Sequence, residues 1–167
     1  DTPEKSTSFE VRKSGGAGGW NASARSTTSI TGDCTLTFRG ATGRYLMAGI
    51  TTDPEANNSY DSIDYAWYLP ADLTYIYENG SNKGSFLTFN SSTIFKISYD
   101  SVSREVSYIM DDKLIRKVSV PGTPTFYFDS SFHSVGGAIF DVEFRAGRTG
   151  DQGQKGQKGV LGLKGQK

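Results

Sequence analysis

The chain has 167 residues, eighteen basic against eighteen acidic side chains, 13% aromatic residues and twenty glycines. Its single cysteine excludes an internal disulfide framework, and the absence of any eighteen-residue apolar run excludes a helical membrane span. With no basic excess and no phosphate-cradling or metal-ligand spacing, neither a nucleic-acid surface nor a cofactor is expected.

In chain order, residues 1–8 are polar and predict a lead-in or linker to one domain over 9–146. The run Gly15-Gly16-Ala17-Gly18-Gly19 precedes no helical pattern and reads as a flexible turn. Runs rich in Tyr, Phe, Ile, Val and Thr then alternate with Gly, Asn, Asp and Ser clusters roughly every ten residues, which is the pattern of strands and turns. Strands are predicted over 9–12, 24–30, 34–39, 45–50, 62–69, 73–78, 85–89, 94–99, 105–110, 114–118, 125–128 and 138–144. Asn79-Gly80 predicts a tight hairpin because both residues tolerate positive φ, and Asp111-Asp112 and Pro121-Gly122 mark further turns. No window has helical periodicity. The fold class is therefore all-β, an antiparallel two-sheet sandwich over 9–146.

Alternation names the core. Ile63, Tyr65, Trp67 and Leu69 share one face of their run. In the next, Leu73, Tyr75 and Tyr77 share one face while Thr74 and Ile76 share the other. Both faces are bulky, which predicts central strands whose outer face also meets something.

The last segment, 147–167, departs from all of this. Gly147, Gly150, Gly153, Gly156, Gly159, Gly162 and Gly165 keep a period of three without a slip. That is the requirement of a collagen triple helix, where only glycine fits at the crowded axis, so these seven glycines predict a homotrimer. A flexible Gly/Gln/Lys-rich linker is the alternative, but it has no reason to hold register. The triplets contain no proline, and the pattern is still running at Lys167, so further triplets or an adjoining trimeric domain are expected. Charge divides at the same point: residues 1–146 hold thirteen basic and seventeen acidic side chains, whereas the tail holds five basic residues and one acid, Asp151. Only two residues, Arg145 and Ala146, separate the last predicted strand from Gly147, which predicts sandwiches clustered about the axis of the stem.

Several short motifs, in order, carry a resemblance. They are Trp20-Asn21-Ala22-Ser23-Ala24, Ser29-Ile30-Thr31-Gly32-Asp33, Tyr60-Asp61-Ser62-Ile63-Asp64-Tyr65-Ala66, Tyr75-Ile76-Tyr77-Glu78-Asn79-Gly80, Phe89, Val106-Ser107-Tyr108 and Gly136-Gly137-Ala138-Ile139. Together they resemble a concanavalin A-like (SPRY-like) β-sandwich, which implies a two-sheet jelly-roll sandwich that binds glycans or proteins without catalysis of its own. Cys34 after Gly32-Asp33, and the longer polar turn Asp100-Ser101-Val102-Ser103, depart from that pattern and leave its ligand loops unassigned. The proline-free, lysine-rich triplets resemble the collagen-like stretches of phage tail fibres.

No catalytic set is legible. His133 stands alone beside a Gly-Gly pair, and Cys34 opens an apolar alternation with Leu36 and Phe38, which predicts a buried thiol. Asp111-Asp112 reads as a turn rather than a calcium loop, and the pairs Asp61/Asp64 and Asp53/Glu55 show no shared site by spacing alone. Sugar recognition needs aromatic faces and amide hydrogen bonds, which points to Asn57, Asn58 and Tyr60 in one loop and Asn79 and Asn82 in a hairpin. The expectation is a non-enzymatic homotrimeric fibre component, placed in a virion appendage or outside the cell, that attaches to cell-surface glycans alongside other fibre or virion proteins. The alternative is a subunit of a microbial extracellular filament whose sandwich binds its neighbours.

Overall fold

The computed structural model describes residues 9–147. Thirteen strands occur among them: β1 (Val11–Arg12), β2 (Ala22–Arg25), β3 (Ile30–Thr31), β4 (Cys34–Gly40), β5 (Arg44–Thr51), β6 (Tyr65–Ala71), β7 (Tyr75–Glu78), β8 (Ser81–Ser85), β9 (Phe95–Asp100), β10 (Glu105–Met110), β11 (Lys113–Ser119), β12 (Thr125–Phe132) and β13 (Ala138–Ala146). One sheet runs β1-β13-β4-β9-β10-β11, the other β2-β12-β5-β6-β7-β8, with the short β3 also on β12. Every pairing is antiparallel. The chain is an all-β, two-sheet antiparallel sandwich.

Period two explains the layering. Leu46, Ala48 and Ile50 of β5, Tyr65, Trp67 and Leu69 of β6, and Phe126, Phe128 and Phe132 of β12 all point between the sheets. From the other sheet Leu36 and Phe38, Phe95, Ile97 and Tyr99, and Val106 and Tyr108 meet them. Trp67 is fully buried, with its indole Nε1–H donating to the Lys96 carbonyl at 3.2 Å, so β6 and β9 are joined by a hydrogen bond as well as by packing. Glu78 of β7 is also buried and accepts a two-pronged bond from Arg116 of β11 at 2.8 and 3.0 Å. Its charge is thus matched across the sheets. The Tyr108 hydroxyl lies near that carboxylate, and burial, followed by the Glu78 charge, pushes its pKa well up.

The turns follow local chemistry. Asn79 and Gly80 adopt φ of 51° and 76°, the doubly left-handed tight turn their types favour. Asp111 and Asp112 adopt 47° and 64°, making the same turn between β10 and β11 without glycine. At Gly49 an added Cβ would come within 1.9 Å of the Tyr65 carbonyl, so only glycine lets β5 and β6 approach there.

Several expected boundaries moved. The run 24–30 divides into β2 and β3, because at Ser26 the side-chain hydroxyl accepts the Phe128 N–H of β12 and donates to the Thr28 carbonyl, which interrupts the backbone ladder. Residues 60–62 form a 3-10 turn, so β6 starts at Tyr65 and Ile63 leaves the inter-sheet face to pack with Met47 and Ala66 instead. The strand expected over 85–89 is replaced by β8, an exposed edge strand pinned by the Asn79-Gly80 hairpin rather than by apolar alternation. Pro121-Gly122, expected as a turn, lies in the connection that crosses from β11 of one sheet to β12 of the other.

β13 ends at Ala146. Gly147, at φ 104°, donates its N–H to the Asp33 carbonyl at 2.9 Å and accepts from the Thr35 hydroxyl at 2.8 Å. The first glycine of the period is therefore held on β4. Gly150, Gly153, Gly156, Gly159, Gly162 and Gly165, and the lead-in over 1–8, lie outside the described residues.

Candidate functional site

The residues facing outward from the larger sheet form a second apolar layer. Met47 and Ala66, with Ile63 from the preceding turn, are buried there although they point away from the main core. They are covered by Trp20, Tyr60, Tyr68 and Tyr77. Register places the rings: Tyr68 lies opposite Met47 on one side and Tyr75 on the other, and Tyr77 lies opposite Ala66. Small Gly49 and Ala66 leave the room that the larger rings fill.

The rings form one connected patch. Trp20 lies 5.1 Å from Tyr60, 5.7 Å from Tyr68 and 5.4 Å from His133, between ring centroids. Tyr77 joins Tyr60 at 5.8 Å and Tyr68 at 5.2 Å; Tyr75 extends the patch past Tyr68, and Tyr45 extends it past His133. Most contacts are tilted or edge-to-face, the arrangement favoured by ring quadrupoles, so the rings hold one another at fixed angles. Burial, followed by the neighbouring Tyr77, Tyr45, Tyr75 and Tyr60, pushes the Tyr68 hydroxyl up to about 12, a sign of several phenols crowded at one place. Tyr45 is 44% exposed and the other rings are half-buried.

The loop between β5 and β6 folds over one end of this patch. Thr51 donates to the Ser62 carbonyl, Asp64 accepts from the Thr52 N–H and hydroxyl, and Ser131 of β12 donates to the Asn58 carbonyl. The loop carries Tyr60 into the patch. The Asn79-Gly80 hairpin packs beside it, since a Cβ on Gly80 would stand 3.2 Å from the Asp61 Cβ. The two loops expected to carry recognition therefore adjoin. Within them, Asn57 accepts from the Ser59 N–H and donates to Asp61, Asn58 accepts from the Ser23 hydroxyl, and Asn82 accepts from the Gly84 N–H. These amides shape the loops. Trp20, Tyr68, Tyr75, Tyr77, Tyr45 and His133 were not among the expected site residues. The alternation through Tyr75 and Tyr77 was their only sequence signal, and nothing local said that Trp20 would cross over to meet them.

Carboxylates gather beneath the same loop. Asp53 and Glu55 line a cleft of about 470 Å³ with Arg25 and Tyr127, where Glu55 pairs with Arg25 at 2.8 Å and Asp53 accepts from the Glu55 N–H. Asp129 of β12 is 2% exposed, and burial pushes its pKa up to about 7, with Asp64 adding to the shift while the Ser130 N–H and Arg25 oppose it. Cys34 is a buried free thiol whose pKa burial pushes up to about 12, so it is a packed core group rather than a nucleophile. Among the described residues no three His, Cys, Asp or Glu side chains converge as a metal site.

No family model and no curated protein matches the chain. Solved structures do match its fold. The SPRY domain of human HERC1 aligns with a TM-score of 0.53 at 16% identity, covering 77% of this chain and 85% of that one. A legume lectin-like domain from Entamoeba histolytica aligns at 0.55 and 9% identity, covering 83% and 84%. The alginate lyase AlgAT5 of Polysaccharide Lyase family 7 aligns at 0.55 and 9% identity, covering 83% and 77%. The fold is a concanavalin A-like, SPRY-like sandwich. At these identities the likeness is one of fold alone, and such a sandwich hosts unlike activities, so function has to be argued from the site.

Proposed function

We propose that this chain is a non-enzymatic carbohydrate-binding module on a homotrimeric collagen-like stem, a component of a phage tail fibre or related extracellular appendage that attaches to cell-surface glycans. The observation that carries the binding half is the connected aromatic patch on the outer face of the larger sheet, bordered by polar loops. Sugars offer C–H faces that lie on aromatic rings and hydroxyls that exchange hydrogen bonds with phenols and amides, and this patch presents both in a pre-set arrangement. The lectin-like neighbour and the sugar-directed lyase make a carbohydrate ligand a reasonable class for this fold. Catalysis is not part of the proposal, because Asp53 and Asp64 accept hydrogen bonds within the loop that carries them and Glu55 pairs with Arg25 of β2.

The stem half rests on the unbroken glycine period from Gly147 to Gly165 and on the anchoring of Gly147 to β4. Three copies would multiply weak sugar contacts by raising the effective concentration of the second and third sites.

Two measurements test the halves separately. Sedimentation should find a trimer whose circular dichroism carries a triple-helix signal that melts separately from the sandwich; a monomer with no such signal ends the stem proposal. A glycan array should show binding that Trp20→Ala removes from an intact fold. Silence across bacterial and host surface glycans, or binding indifferent to Trp20, ends the carbohydrate proposal.

A further inference from the structure

Lys13 follows β1 directly and is the only buried lysine among the described residues, at 5% exposure. Its three ammonium protons are shared among four oxygens: the Ala17 carbonyl at 2.8 Å, the Gly19 carbonyl at 3.0 Å, Asn21 Oδ1 at 2.6 Å and the His133 carbonyl at 3.1 Å. All four are neutral. No carboxylate among the described residues pairs with it; a buried ammonium is costly unless polar atoms replace its water, and here a ring of oxygens does so.

The placement of those oxygens is informative. Ala17 and Gly19 belong to the glycine-rich segment, Asn21 follows Trp20, and His133 directly follows β12. The segment has no strand of its own, and four glycines in five residues make ordering it entropically expensive. Lys13 is itself held, donating its N–H to the Gly137 carbonyl and accepting from the Gly136 N–H. A direct bond from the Gly19 N–H to the His133 carbonyl closes the same ring. The residues on both sides of Trp20 are thus fastened to one cation, which also holds the carbonyl of the His133 that Trp20 packs against. The turn expected to be flexible is pinned.

We propose that Lys13 is a positioning residue: its buried ammonium fixes Trp20 against His133 and so sets the geometry of the aromatic patch. Only its consequence for sugar affinity rests on the carbohydrate reading; the positioning does not.

The full chain supplies the test, because it contains two tryptophans and Trp67 is fully buried. Quenching of the emission by acrylamide therefore reports Trp20. Lys13→Met keeps the length of the side chain and removes the donors. The expected result is an unchanged sheet signal and cooperative melt with red-shifted emission and a steeper quenching slope. Unchanged emission and quenching in the folded variant overturn the proposal, as does exposure of both tryptophans together, which would make Lys13 a general support of the fold. Should Lys13→Met not fold, Asn21→Ala decides the matter by removing one of the four acceptors: red-shifted emission supports the proposal and unchanged emission overturns it. Where a glycan is bound, Lys13→Met should weaken it in the parent but not further in a Trp20→Ala background, and an equal further loss contradicts the proposal. Absence of any glycan binding by the parent ends the carbohydrate reading, while the fluorescence result still decides the positioning role of Lys13.

Discussion

The two tryptophans sit in two aromatic layers that use the same residue types for different ends. Trp67 lies between the sheets, fully buried, against Phe95 and Tyr108 with its indole hydrogen bond satisfied. Trp20 lies on the outer face of the larger sheet, half-buried among Tyr60, Tyr68 and His133 on a loop that one cation fastens. In the inner layer nearly all the rings come from strands of the two sheets, with Phe89 added from the connection before β9. The outer layer depends on loops as well, because Trp20 and Tyr60 both reach it from outside the strands. An interior can be assembled by alternation, whereas a site needs long-range placement of a few side chains.

That contrast can be broken by mutation. The largest effect should come from Trp67→Ala, which leaves a cavity between the sheets and should cost about 3–5 kcal/mol in denaturant unfolding; an equal loss from Trp20→Ala would mean that the outer layer is simply a second core. Next is the pH dependence set by Asp129. Its folded value of about 7 lies above the ordinary 3.8, so the folded state holds a proton between those values that the unfolded state has released. Stability should therefore fall as pH rises from 4 through 7, by at most about 4 kcal/mol from this group. Asp129→Asn should flatten that slope in urea titrations at several pH values and be the more stable protein at pH 8; an unchanged slope would show that Asp129 is not the source. Trp20→Ala should be milder, about 1 kcal/mol on stability, while abolishing glycan retention on the array. Asn82→Ala should be smallest, within about 0.5 kcal/mol, because it removes one exposed turn bond at the edge strand. A large loss of binding from that change would shift the site toward the hairpin.

Much of the inner layer was legible locally. The strand expected over 105–110 coincides with β10, and Tyr65, Trp67 and Leu69 occupy the face their alternation assigned. The Asn79-Gly80 turn forms as its residue types require. β8 was missed because an exposed edge strand of Ser, Asn, Lys and Gly needs no apolar face, only a neighbour to pair with. Ile63 was misplaced because a 3-10 turn broke the strand phase two residues before β6, and a shift of phase changes which layer a side chain enters. Of the expected site residues, Tyr60 joins the ring patch, while Asn57 and Asn82 brace their own loops and Asn58 ties its loop to β2 and β12.

Strand period, turn type and the three-residue glycine repeat are properties of neighbours along the chain, so residue order alone was enough to set the all-β pattern and to raise the expectation of a trimeric stem. Which outward faces become covered, and by what, depends on contacts between residues far apart in sequence. Lys13 reaches the His133 carbonyl, 120 positions away, and that one fastening brings Trp20 to a tyrosine row on β6 and β7. No local pattern encodes such a meeting, because its partners acquire their positions only when both sheets have formed.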